Sequence, residues 1–176
     1  MKITVFGSGT AEETSPEFKM AKKFGEIVAQ NGWEIFCGGY YGIMLAVSQG
    51  AVNFGGKSTG IIWQGYHRSP SNYLSDIIEC EDYYHRLLKL IESSDVYIIF
   101  PGGAGTLMEL ATIWALSERN LLNRKLIVTV GEQWRELIQL VSFYNEHSFE
   151  SGLTINNVAS AEEAIELIKN YLNIII

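Results

Sequence analysis

The chain has 176 residues, of which 47% are hydrophobic and 19% charged, and its net charge is −7. That length and composition describe one ordinary domain that folds rather than stays disordered. The negative charge argues against a nucleic-acid polymer or an anionic membrane as the main partner, because both need clustered Lys and Arg; a small phosphorylated ligand needs only a few local donors.

The apolar pattern alternates short runs with longer amphipathic stretches. ITVFG (3–7) reads as a first strand that ends in the turn GSGT. The short apolar run at the start stops at glycine, too soon for a signal peptide or a membrane span, so the expectation is a cytoplasmic protein. From Ser15 to Gln30 the spacing is helical, with Phe18, Ala21, Phe24, Ile27 and Val28 on one face. WEIFC (33–37) reads as a second strand, GGYYG (38–42) as a glycine turn, and a helix follows to Phe54. STGIIW (58–63) is a third strand, and LSDIIEC (74–80) a short extended run. Asp82 is placed to cap a helix running to Ser93. VYIIF (96–100) is apolar at every position, as a strand covered on both faces should be. Then come a helix from Gly105 to Leu116, a strand KLIVTV (125–130), a helix over 134–147, a strand INNVA (155–159) and a closing helix over 160–172. Ser160 and Glu163 have capping-box spacing. Cys37 and Cys80 both lie in apolar strand contexts and read as buried thiols.

Strands alternating with helices of ten or more residues predict a single α/β domain over residues 1–176: a Rossmann-like, doubly wound parallel sheet with helices on both faces. Ligands in such folds sit beyond the carboxyl ends of the strands. Three glycine-rich turns fall there: GSGT, GGYYG and PGGAGT (101–106). The last opens a helix, so its free N–H groups and the helix dipole suit a phosphate, and Thr106 adds a hydroxyl. The dinucleotide fingerprint is absent, since GSGT lacks its third glycine and no acid closes WEIFC; the triphosphate loop G-x-x-x-x-G-K-[ST] is not matched. A mononucleotide fits better than NAD or ATP. Glu109 stands one turn into the PGGAGT helix among apolar residues, where a carboxylate is either paired, functional or turned to solvent. Arg86, fifteen residues before Pro101, suits a phosphate or a carboxylate, or is a surface arginine.

PGGAGTLME resembles the PGGxGTxxE signature of the LONELY GUY family, also known as lysine decarboxylase-like proteins. That family carries an arginine fifteen residues ahead of the PGG proline, and Arg86 has this spacing. GGYYGIMLAVSQGA and VFGSGT resemble two further family segments, and the match spans roughly residues 3–135. The resemblance implies a nucleoside 5′-monophosphate phosphoribohydrolase, which splits the N-glycosidic bond to a free base and ribose 5-phosphate. In plants and some bacteria the family's substrate is a cytokinin nucleotide. The family is usually dimeric or a larger homo-oligomer.

Arg86 and Glu109 map onto the family's catalytic pair. Glu109 would stabilise positive charge at C1′ and activate water, while Arg86 would hold Glu109 and bind the anionic part of the substrate. Gly102, Gly103, Gly105 and Thr106 would hold the 5′-phosphate; Gly39, Gly42 and Met44 would line the ribose or base side. Tyr83 and Tyr84 either stack on a base or pack. Neither cofactor nor metal is expected, since His67, His85 and His147 show no ligand spacing. Where the family has Glu-Arg-Lys, this chain has His85-Arg86-Leu87, and Met108 replaces one of two adjacent acids. These departures keep open a second reading, a non-catalytic nucleotide-binding protein or molybdenum-cofactor carrier of the same superfamily. A pyridoxal-dependent decarboxylase is disfavoured because no lysine stands near the glycine turns.

Overall fold

The computed structural model describes residues 1–123, 125–145 and 154–175. Its elements in chain order are β1 (Lys2–Phe6), α1 (Pro16–Gln30), β2 (Glu34–Cys37), α2 (Ile43–Asn53), β3 (Lys57–Trp63), β4 (Asp76–Cys80), α3 (Tyr83–Glu92), β5 (Val96–Ile99), α4 (Ala104–Glu118), β6 (Leu126–Val130), α5 (Gln133–Asn145), β7 (Ile155–Val158) and α6 (Ala161–Ile175). All seven strands are parallel, in the order β4-β3-β2-β1-β5-β6-β7. The expected end of the fifth helix at His147 lies outside the described residues.

The caps explain where several helices start. Ser15 accepts from Phe18 N–H ahead of Pro16, and Asp82 accepts from both Tyr84 and His85 N–H. Ser160 accepts from Glu163 N–H, but the Glu163 carboxylate returns to Ala159 N–H, one residue earlier than the usual capping box.

Side-chain parity along the strands builds two cores. Ile3, Val5, Ile35 and Ile98 face α1, α2 and α6. Phe36, Ile61, Tyr97 and Ile99 face α3, α4 and α5. β5 is buried at every position because it is covered on both sides. β4 is the sheet edge and is largely exposed, so Cys80 is only half-buried while Cys37 is fully buried.

The first helix pair needs close backbone approach. A Cβ on Gly25 would lie 2.2 Å from Val47 O, and one on Gly50 would lie 2.0 Å from Lys22 O. Gly56-Lys57-Ser58 has the last three residues of the triphosphate-loop pattern, but Ala51 stands where its first glycine belongs and the segment enters β3 instead of a helix.

The winding positions the site. From β1 the chain moves outward through β2, β3 and β4, then returns to the other side of β1 for β5, β6 and β7. The reversal lies between β1 and β5. Val5 is level with both Cys37 and Ile98, so the three glycine turns emerge side by side at the carboxyl edge.

Gly50→Ala would gain about 1 kcal/mol if helix propensity governed. The close contact with Lys22 O should instead make it lose about 1–3 kcal/mol, read by urea unfolding.

Candidate active site

The backbone of Ser8 joins the three turns. Its N–H donates to Pro101 O at 2.9 Å, and its carbonyl accepts from Ile43 N–H at 2.8 Å. The turn after β1 is thereby tied to the turn after β5 and to the start of α2. On the outer side, Gln133 grips Gly102 twice: Gly102 N–H donates to Oε1 at 3.1 Å, and Nε2 donates to Gly102 O at 2.5 Å.

Between the turns lies a cavity of about 350 Å³, within the range of small-molecule sites. One end is formed by Gly9, Thr10, Gly103, Gly105 and Thr106. Gly103 caps α4 without a side-chain bond, and the first bond into the helix runs from Leu107 N–H to Gly103 O. The N–H groups of Gly105 and Thr106 are therefore unclaimed by the helix, as anion recognition requires. The other end is aromatic, with Tyr40, Trp63, Tyr66 and Tyr83. Tyr40 and Tyr66 lie 4.5 Å apart by ring centroid, and Trp63 meets Tyr83 edge-on at 6.3 Å. Tyr40 is pinned, because its hydroxyl donates to Trp63 O and accepts from Trp63 N–H.

Arg86 and Glu109 both open onto this cavity. Arg86 is only 8% exposed. Its Nε donates to Ile61 O at 2.8 Å and its Nη2 to Gly38 O at 3.2 Å, which anchors it at the ends of β3 and β2. The guanidinium lies 5.7 Å from the Tyr40 ring and 5.9 Å from the Tyr83 ring, within cation–π range. No ion pair joins it to Glu109. The expectation that Arg86 holds Glu109 in place is thus corrected: backbone carbonyls hold the arginine, and it acts on Glu109 through space. Glu109 is half-buried and lines the cavity. Burial pushes its carboxyl up to about 7, with the charge of Arg86 pulling the other way. The Tyr83 hydroxyl is pushed up too, first by burial and then by the Glu109 charge.

Met44, Gly103, Gly105 and Thr106 line the cavity; Gly39, Gly42 and Gly102 do not. Gly39 has a positive φ of 79° and packs on β3, where a Cβ would lie 2.8 Å from Ile62. Gly42, also at positive φ, sits under the first turn, with room for no Cβ beside Ser8 O. Gly102 gives its N–H and carbonyl to Gln133, and a Cβ on it would lie 2.2 Å from the Thr106 hydroxyl. These three glycines let the turns approach one another and form no wall. His85 lies outside the cavity, with Nδ1 2.8 Å from the capping carboxylate of Asp82, and Tyr84 is 74% exposed. Among the described residues no three His, Cys, Asp or Glu gather as metal ligands; His147 is outside them.

The residues that sequence reading missed are Gly38, Tyr40, Trp63, Tyr66 and Gln133. Trp63 had a signal, since it ends a parallel strand at the ligand-binding edge. Gln133 had none, because its bonds span 31 residues.

A family model described as the SLOG cluster4 family matches residues 1–165. The chain belongs to that family. It is 25% identical over 172 residues to the cytokinin riboside 5′-monophosphate phosphoribohydrolase LOG1 of Arabidopsis thaliana, covering 96% of this chain and 81% of that one. It is 30% identical over 122 residues to the cytokinin riboside 5′-monophosphate phosphoribohydrolase of Mycobacterium marinum, covering 67% of this chain and 65% of that one. Among solved structures, the molybdenum cofactor binding protein of Rippkaea orientalis superposes with a TM-score of 0.77 at 29% identity, covering 97% and 96% of the two chains. No helix among the described residues is long and apolar enough to cross a membrane.

The raised Glu109 carboxyl sets a stability trend. Its folded value lies above the ordinary 4.5, so between 4.5 and about 7 the unfolded chain holds fewer protons and native stability falls as pH rises. Glu109→Gln escapes this loss. Its advantage in thermal unfolding should open across that window to on the order of 1–3 kcal/mol and stay level above it. A gap that is constant from pH 4.5 to 8 would contradict the burial assigned to this carboxyl.

Proposed function

We propose that the protein is a nucleoside 5′-monophosphate phosphoribohydrolase, a hydrolase that releases a free base and ribose 5-phosphate. One observation carries the reading: the open N-terminus of α4 and the Glu109 carboxyl share one wall of one cavity, a single helical turn apart, with an aromatic enclosure beyond them. Phosphate, ribose and base follow one another in the substrate in the same order.

Under this reading the N–H groups of Gly105 and Thr106, with the Thr106 hydroxyl, bind the 5′-phosphate. Gln133 and Ser8 fix the turn from behind. Breaking the glycosidic bond builds positive charge on the ribose and negative charge on the departing base. Ionised Glu109 faces the ribose, stabilises the positive charge and takes a proton from the attacking water. A carboxyl near pH 7 is a stronger base than an ordinary glutamate and is still half ionised at neutrality. Arg86, at the aromatic end, stabilises the negative charge on the leaving base. The cytokinin-named relatives make an N6-substituted adenine nucleotide one substrate to try.

A carrier that binds its ligand without turning it over is the second reading. It is favoured by the likeness to the Rippkaea orientalis protein and by Glu109 being the one carboxylate among the cavity-lining residues described.

The test is chromatography of free base released from AMP, GMP, IMP, CMP and isopentenyl-AMP. Base should appear and fall by about 10²-fold or more in Glu109→Ala. Release that persists in the variant removes Glu109 from the chemistry, and no release from any nucleotide by folded protein favours the carrier. Activity of the wild type should rise with pH through about 7, as the ionised form of Glu109 accumulates. Gln133→Ala removes both bonds to Gly102 and should raise KM several-fold while kcat changes little.

A further inference from the structure

Tyr66 is an aromatic residue that the fold holds in place without burying. It lines the aromatic end of the cavity, yet 46% of it is exposed. Its ring meets that of Tyr40 at 4.5 Å and an angle of 46°. The two rings therefore do not lie flat on each other, and ring surface of Tyr66 stays open at the cavity. A large apolar ring kept open in this way is suited to meeting another flat group.

The mounting of Tyr66 is rigid. The chain leaves β3 at Trp63 and turns at once, with Tyr66 N–H donating to Trp63 O at 3.2 Å. The same carbonyl accepts from the Tyr40 hydroxyl, so one acceptor ties the two tyrosines together. Trp63 is fixed in turn, because its indole Nε1 donates to Glu81 O at 3.2 Å. The turn lies against that indole: a Cβ on Gly65 would come within 2.1 Å of the ring. The backbone that carries Tyr66 is thus set before any ligand arrives. A tyrosine on such a support offers a wide contact area and has only two side-chain torsions to immobilise.

The order of the cavity says which part of a ligand reaches it. In the nucleotide reading the phosphate takes the glycine end and Glu109 faces the ribose, which leaves the aromatic end to the base. Every base has a flat π-face, and stacking on an aromatic side chain requires no particular pattern of donors and acceptors at the base edge. We propose that Tyr66 is the residue that stacks on the base of the bound nucleotide and sets how tightly a purine is held. The proposal rests on the nucleotide reading of the cavity.

The experiment is calorimetric titration of AMP, GMP and ribose 5-phosphate, the last of which lacks a base. The full chain carries Glu109→Gln throughout, so that no base is released during the titration, and is compared with and without Tyr66→Ala or Tyr66→Phe. Tyr66→Ala should weaken the tighter-binding purine nucleotide by about tenfold or more and leave ribose 5-phosphate within about twofold. Tyr66→Phe should keep the nucleotide affinity within about threefold, because the ring makes the contact and the hydroxyl does not. Nucleotide affinity that is unchanged in Tyr66→Ala overturns the proposal, as does equal weakening of nucleotide and ribose 5-phosphate, or a Tyr66→Phe variant as weak as Tyr66→Ala. Should ribose 5-phosphate bind too weakly to titrate, the difference between the two variants decides alone. No binding of either nucleotide overturns the proposal together with the nucleotide reading. Base release by the wild type decides the hydrolase reading separately, since none of these titrations needs turnover.

Discussion

The cavity depends on the backbone of one residue. Ser8 donates forward to Pro101 and accepts from Ile43, so three chain segments far apart in sequence meet at one residue. Gly42 presses close to that backbone, where a Cβ would lie 2.1 Å from Ser8 O, while a Cβ on Gly102 would first meet the Thr106 hydroxyl at 2.2 Å. A wider joint would separate the α4 N-terminus from the first turn and open that end of the cavity. Gly42 is needed because backbone must touch backbone there.

From that joint the electrostatics follow. The sheet reversal places the ends of β2, β3 and β5 around one space, and Arg86 from α3 and Glu109 from α4 both line it. Arg86 enters from α3 and is held by strand carbonyls. Glu109 enters from α4 and lines the cavity half-buried. They influence each other without forming a salt bridge. A direct pair would have neutralised both groups and satisfied their hydrogen bonds with each other. Held apart, each retains unspent capacity: the carboxyl keeps a high proton affinity and the guanidinium keeps free donors. Sites that act on a bond between two oppositely polarised fragments need this kind of separation.

The chain order of the elements, the parallel sheet and the caps at Asp82 and Ser160 were legible because each is local. The β5 run is apolar throughout since both of its faces are covered, and that pattern survives without any knowledge of what covers it. The site was legible in part. Glu109, Arg86 and the PGGAGT turn carried local or spacing signals. Gly39, Gly42 and Gly102 looked the same as Gly103 and Gly105 in sequence, yet they face β3, the Ser8 peptide and Gln133. A glycine turn has an inside and an outside, and only the folded path of the chain separates them. The role read for Arg86 failed for a similar reason. Spacing brought it near Glu109, but Ile61 and Gly38 carbonyls lay nearer.

By itself, then, the sequence determined the strand–helix alternation, the edge at which the glycine turns gather, and the helix that carries an open N-terminus and a carboxylate one turn apart. Those features follow from periodicity and from short-range backbone chemistry, which neighbouring residues dictate. The tertiary structure decided which residues share the cavity: Tyr40, Trp63, Tyr66 and Tyr83 come from separate segments, and Gln133 reaches Gly102 across 31 residues. It also decided the state of the charges. Burial raises the Glu109 carboxyl and strands the donors of Arg86 among rings, and burial is a property of the packed chain that no single segment holds.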